Sequence, residues 1–292
     1  MTDQADSLRR VASQHLAGRS LPGGRHHCRV LAVTGGKGGV GKTNVAVNLS
    51  LALCEGGARV LLLDGDMGLA NVDLLLGLSP RYTLQHVFDR QCELEDIVIE
   101  GPLGLNVLPG GMGLPELANL NTLDIVRLLG LLRGLERDHD ILVIDTAAGI
   151  GQIVTRLALA ADDVIIVSTP EPTAMVDAYG LMKALKQAEQ ACRLHLIVNM
   201  VRQKGEDAQF YKSLSAVATS YLEQELNWLG SIPRDESIVA GVKKHEPFFI
   251  GRPQSAASRE LRRIAGLFLA ELKINRPQRA EGFFARLINS MR

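Results

Sequence analysis

The apolar run RVLAVT (29–34) ends in GGKGGVGKT (35–43), and the following NVAVNLSLALCEG repeats apolar side chains every three or four positions. A short strand must therefore pass through a glycine-rich loop straight into a helix. Gly36, Gly41, Lys42 and Thr43 satisfy G-x-x-x-x-G-K-[ST] in the strand–loop–helix context which that spacing requires. Glycines let backbone N–H groups curl around an anion, and the helix start adds its positive dipole end. Gly36, Lys37, Gly38, Gly39, Val40, Gly41, Lys42, Thr43 and Asn44 thus read as a phosphate cradle. Lys42 would neutralise the β- and γ-phosphates of a nucleotide, and the Thr43 hydroxyl would hold Mg²⁺. A bare glycine-rich turn is the competing reading, and both flanks argue against it.

Four further runs resemble the first: RVLLLD (59–64), DILVID (140–145), DVIIVST (163–169) and LHLIVNM (194–200). Most lack polar alternation, as strands do when both faces are covered. Helix-length segments such as TAMVDAYGLMKALKQAEQ separate them. Strand alternating with helix predicts one doubly wound α/β domain, a mostly parallel sheet with helices on both faces. Ligands of such sheets gather beyond the carboxyl ends of the strands. There LLLDGDMGLANVD places Asp64 and Asp66, and ILVIDTAAGIG places Asp145. Of the paired carboxylates one would hold the metal's water shell and the other orient a water for attack; Asp64 is assigned to the metal, with Asp145, and Asp66 to catalysis beside Lys37 and Lys42. Helix N-caps are the bland alternative for each aspartate.

Composition bounds the rest. The 292 residues, 46% of them hydrophobic, are enough for a large core. The 32 basic and 32 acidic residues cancel, so no global field draws in DNA or anionic lipid, and no direct nucleic-acid contact is expected. Cys28, Cys54, Cys92 and Cys192 are far apart and read as small buried hydrophobes of a reducing compartment. The polar start MTDQADSLRRVASQ is no signal peptide, and a cytoplasmic location follows.

GGKGGVGKT, DGDMGLANVDLLLGL and DTAAGIG together resemble the MinD/ParA family of deviant-P-loop ATPases, within it the flagellar number and placement regulators of the FlhG (FleN) type. The likeness spans about residues 29–272 and implies a SIMIBI-type P-loop NTPase fold, ATP and Mg²⁺ as cofactors, and slow hydrolysis. The additional glycine-flanked Lys37 is the family's signature. It implies an ATP-dependent homodimer in which this lysine crosses to the partner's phosphates, as an arginine finger does. By the same resemblance Glu171 contacts the ribose across the dimer, Asn199 pairs with the adenine edge, and Pro233 and Asp235 of IPRDES pack against the base.

Both ends of the chain carry information of their own, dividing it into residues 1–27, 28–272 and 273–292. RAEGFFARLINSMR, written on a helix, sets Phe283, Phe284, Leu287, Ile288 and Met291 on one face, with Arg279, Arg286 and Arg292 at its flanks or opposite. This pattern suits an interfacial helix on the cytoplasmic membrane surface, and a terminal helix docked on the core competes with it. One copy would hold membrane weakly and two copies in a dimer better. At the other end, DQADSLRRVASQHLAG offers an apolar stripe of Leu8, Val11 or Ala12, and Leu16 before the tether GRSLPGGRHH. From physics alone it is a marginal helix that orders on a partner. Asp3, Gln4, Ala5, Leu8 and Arg9 match the family's D-Q-A-x-x-L-R segment, which implies activation of the flagellar signal-recognition-type GTPase FlhF. Flagellar C-ring proteins or a flagellar transcription regulator are the other partners implied. A DNA- or cargo-partitioning ATPase, a division-site regulator, an iron–sulfur carrier and a non-hydrolysing binding module remain alternatives.

Overall fold

In the computed structural model, residues 28–66, 71–83, 86–87, 89–109, 132–188, 192–236, 238, 241, 244–274 and 282–291 are described. Eight strands form one sheet: β1 (Arg29–Thr34), β2 (Val60–Gly65), β3 (Ile99–Glu100), β4 (Asn106–Leu108), β5 (Ile141–Thr146), β6 (Asp163–Ser168), β7 (Arg193–Val201) and β8 (Leu226–Pro233). Their order is β3-β4-β2-β5-β1-β6-β7-β8, parallel throughout except for the antiparallel β3–β4 pair. The chain leaves β1 for β2 on one side and later crosses to β6 and β7 on the other. The loop after β1 consequently lies where the winding reverses, the usual place for a ligand.

Side-chain alternation along each strand feeds two cores. Val30 and Ala32 of β1 face one cluster, Leu31 and Val33 the other. The second cluster is covered by α1 (Lys42–Glu55), α2 (Asn71–Leu76), α6 (Phe248–Gly251) and α7 (Ala256–Ile274). Helix α7 is amphipathic: Ala257, Leu261, Ile264, Ala265 and Phe268 bury one stripe, with arginines Arg259, Arg262 and Arg263 outside it. The first cluster is covered by a helical segment at 132–138, α3 (Gln152–Ala160), α4 (Pro172–Gln187), α5 (Glu206–Leu222) and α8 (Phe283–Met291).

Helix α8 is the amphipathic C-terminal segment, and here it is docked against α3. Phe283, Phe284 and Leu287 are buried in the core, so the face suited to lipid is turned inwards in this conformation. The side chains of Ile288 and Met291 lie outside the described residues. Two polar clips fasten the helix: Glu136 accepts the Phe284 N–H (2.8 Å), and Arg286 reaches Ala160 O (2.8 Å) and Asp162 (3.2 Å). Asp3, Gln4, Ala5, Leu8 and Arg9 also lie outside the described residues.

At the amino-terminal edge of the sheet, opposite the glycine loop, Asp163 gathers the Arg29, Arg193 and His195 side chains at 2.8–2.9 Å, and Glu271 of α7 bonds both arginines. Burial alone would raise the Asp163 carboxyl, but hydrogen bonds from His195 and Arg29 outweigh it and bring it down to about 2. Arg29 is itself buried, so removing this acid leaves its charge with only the half-exposed Glu271 to balance it. Asp163→Asn should cost about 3–5 kcal/mol in denaturant unfolding at neutral pH. Because the folded pKa is depressed, this contribution is complete above about pH 4, the ordinary carboxyl value, and disappears as pH falls towards the folded one. The Asp163→Asn penalty should therefore be present at neutral pH and shrink as pH falls below about 4.

Candidate functional site

The start of the glycine loop is wedged between neighbours that leave no room for side chains at Gly35 and Gly36. A Cβ on Gly35 would lie 2.7 Å from Val167 O of β6, and one on Gly36 only 2.2 Å from Asp177 O of α4. Gly39 (φ 79°) and Gly41 (φ 90°) adopt left-handed backbone that other residues avoid. Gly38 faces open space. The first intrahelical bond of α1, Val45 N–H to Gly41 O, leaves the N–H groups of Lys42, Thr43 and Asn44 outside the ladder at the positive end of the helix. That geometry suits an anion.

The two lysines diverge. Lys42 is buried and folds back under the loop, its ammonium 3.4 Å from Lys37 O. Burial lowers its pKa, while Asp145 and Asp66 act the other way. Lys37 instead reaches outwards, its side chain 42% exposed. Its ammonium lies 3.4 Å from Glu171 and 3.2 Å from the Thr173 hydroxyl, both at the start of α4. The family resemblance sends Lys37 to a partner's phosphates and Glu171 to the ribose across the dimer; within one protomer the two side chains meet each other. Thr173 was missed, although Pro172 at the first helical position marks its place in the opening turn.

The carboxylates converge on the same strand ends. Asp64 and Asp145 are register partners on β2 and β5. Asp64 accepts the N–H groups of Asp66 (3.0 Å) and Val72 (3.3 Å), and Asp66 accepts from Asn71 (3.4 Å). Burial pushes Asp64 up to about 6 against those backbone bonds. Asp145 is completely buried, and neither of its oxygens has a hydrogen-bond partner of good geometry among the described residues. Burial pushes it up to about 7; the Thr43 hydroxyl and Lys42 offset part of the rise and Asp64 and Asp66 add to it. The buried oxygen of Asn44 likewise has no hydrogen-bond partner among the described residues. An orphaned buried carboxylate beside a hydroxyl and a lysine fits a divalent cation, which Thr43, Asp64 and Asp145 would hold, directly or through water. A bound Mg²⁺ would supply charge neutralisation of the phosphates. Lys42 and the loop N–H groups would hold those phosphates, and Asp66, half-exposed at the rim, could orient water.

The far rim is formed by the ends of β7 and β8. Val201 and Pro233 are register partners, Arg234 N–H bonds Val201 O (2.8 Å), and Asp235 opens the next turn. Asn199 is more committed than its sequence suggested. Its amide donates to Val40 O (2.8 Å) and its oxygen accepts the Met200 N–H (2.9 Å), which leaves one N–H and one lone pair for a ligand. It closes over Gly41, where a Cβ would meet its amide nitrogen at 2.4 Å. The loop after β5 joins from the other side, Gly149 N–H bonding Gly35 O at 3.1 Å.

Because the Gly36 contact is with backbone, the neighbour cannot swing aside. Gly36→Ala should cost about 1–3 kcal/mol of stability and weaken nucleotide binding, whereas Gly38→Ala should be close to neutral in stability. Paired thermal unfolding and nucleotide titration of both variants check this.

Comparison with known proteins places the chain among P-loop ATPases. A family profile described as an AAA domain matches residues 28–198, and one described as a NUBPL iron-transfer P-loop NTPase (ParA) matches residues 132–268. The antiactivator FleN of Pseudomonas aeruginosa is 41% identical over 83% of this chain and 87% of its own. The flagellum site-determining protein YlxH of Helicobacter pylori is 33% identical over 89% of this chain and 90% of its own. Among solved structures, the septum site-determining protein MinD of Pyrococcus horikoshii complexed with Mg-ADP superposes with a TM-score of 0.67 at 26% identity, covering 85% of this chain and all of that one. At these identities and coverages the chain belongs to the MinD/ParA family of P-loop ATPases and resembles its FlhG (FleN) type.

Proposed function

We propose that this ATPase is a nucleotide-switched spatial regulator of flagellar number and placement. ATP joins two protomers face to face, the dimer associates with membrane, and slow hydrolysis resets it. The observation that carries the reading is the position of Lys37. It is an exposed cation on the rim of the phosphate cradle, and Ile150 and Val176, 60% and 71% exposed, lie on the turn after β5 and on α4, the two segments that meet Gly35 and Gly36. Exposed aliphatic side chains around a cation suit a face that a second copy covers. In the dimer Lys37 would leave Glu171 and Thr173 for the partner's phosphates, and Glu171 would be freed for the partner's ribose.

The names of the FleN and YlxH relatives support the flagellar role. The amphipathic α8 supports membrane association, with one addition: the helix must first leave the groove in which Phe283, Phe284 and Leu287 are buried. No helix among the described residues is long and apolar enough to cross a membrane, so attachment would be peripheral. Residues 1–20 would activate a signal-recognition-type GTPase through Asp3, Gln4, Ala5, Leu8 and Arg9, and C-ring or transcriptional partners would read the dimer. An iron-transfer role, the alternative raised by one family description, would want paired cysteines, and residues 132–268 contain a single one, Cys192.

Lys37→Ala should leave Mg-ATP binding largely intact. Losing a charged hydrogen bond of about 1.5–3 kcal/mol at each site should weaken the dimer at least about tenfold. Sedimentation with a non-hydrolysable ATP analogue measures this, and an undiminished dimer would remove the basis for the reading. A chain lacking residues 280–292 should keep nucleotide binding and lose flotation with anionic liposomes; undiminished flotation would leave α8 a core element and nothing more.

A further inference from the structure

The groove that holds α8 has a second candidate occupant in the same chain. Phe283, Phe284 and Leu287 sit in one apolar cluster with Cys28, Leu132, Leu135, Leu157 and Ala158. Arg286 is clipped to Asp162 at its edge, and Glu136 receives the first turn. Asp162 is held from behind by Val30 N–H (2.9 Å), so the seat for an arginine persists when the helix departs. An emptied groove would expose large apolar side chains beside two carboxylates, and such a surface attracts a cover of the matching pattern.

Cys28, the first described residue, belongs to this cluster, and its thiol feels the charges of Glu136 and Asp162. Cys28 therefore lies beside the groove. The sequence of the N-terminal segment repeats the pattern of the docked helix. Phe284-Ala285-Arg286-Leu287-Ile288 and Leu8-Arg9-Arg10-Val11-Ala12 are both apolar, any, arginine, apolar, apolar. Between Leu16 and Cys28 the chain extends up to about 40 Å, while a helix as long as α8 spans about 14 Å, so the whole groove is within reach. Tethering by so short a segment gives an effective concentration in the millimolar range.

We propose that residues 7–16 are the alternative occupant of the α8 groove, seating Leu8, Arg10 and Val11 where Phe284, Arg286 and Leu287 now lie. Leucine and valine fill less of the groove than phenylalanine and leucine, so the N-terminal segment loses the competition while α8 is docked and takes the site once α8 leaves. Residues 3–9, which precede and overlap the seated stretch, would be withdrawn from a partner whenever α8 is engaged elsewhere. This last consequence rests on the proposed function; the exchange of occupants does not.

The test is hydrogen exchange on the full-length protein in solution, without lipid or partner, so its outcome is separate from that of the membrane reading. Arg286→Glu breaks the Asp162 clip and should speed exchange in α8. Amides of residues 6–14 should then slow by about tenfold or more, and adding Arg10→Glu to the same chain should return them to fast exchange. Fast exchange in residues 6–14 with α8 open, or slow exchange that ignores Arg10→Glu, overturns the proposal. If Arg286→Glu leaves α8 protected, a chain ending at Arg279 removes the competitor outright: slowed exchange in residues 6–14 supports the proposal, and unaltered exchange overturns it.

Discussion

The steric wedge around Gly35 and Gly36 is the constraint from which the site follows. With Val167 O and Asp177 O at 2.7 and 2.2 Å from where their Cβ atoms would stand, the loop can run only along one path between β6 and α4. That path turns Lys42 inwards under the backbone and leaves Lys37 no course but outwards. Asn199 closes the third side by holding Val40 O. Loop curvature, the burial of one ammonium and the exposure of the other are thus one packing decision taken by three neighbouring elements.

Electrostatics then completes what packing begins. Asp64 and Asp145 meet at the ends of adjacent strands, where burial penalises their charge and raises both. A cation in that position repays the cost, which is why the orphaned oxygens of Asp145 read as half of an interaction. The charge cluster at the opposite edge differs in kind: Asp163 is saturated by arginines and histidine, held low, and serves to join β1, β6, β7 and α7. Both ends of the sheet carry buried acids, and only one of them wants a partner from outside.

Much of this was legible in the sequence, and for identifiable reasons. The five apolar runs 29–34, 59–64, 140–145, 163–169 and 194–200 coincide with β1, β2, β5, β6 and β7 to within a residue or two, because buried parallel strands need unbroken hydrophobicity. β8 was not read as a strand: LNWLGSIP mixes Asn, Trp, Gly, Ser and Pro, as an edge strand tolerates. β3 and β4 are too short to leave a periodic signal. The phosphate loop and its aspartates were legible because their chemistry is local. Thr173 beside Lys37, Asp177 against Gly36 and Asn199 over Gly41 arise from tertiary juxtaposition, which no window of sequence records. Amphipathicity of the last helix told that one face seeks an apolar medium, but core and lipid satisfy the same pattern.

The central claim, that Lys37 serves a nucleotide on another protomer, is tested most directly by mixing two inactive chains. Lys37→Ala retains its own Asp66, and Asp66→Ala retains its own Lys37. Neither homodimer should turn over ATP. In a mixed dimer the Lys37 of one chain would enter the site that keeps Asp66, so the mixture should release phosphate at a rate rising with the mixed fraction. A mixture no faster than the sum of its two components would show the lysine acting only within its own chain.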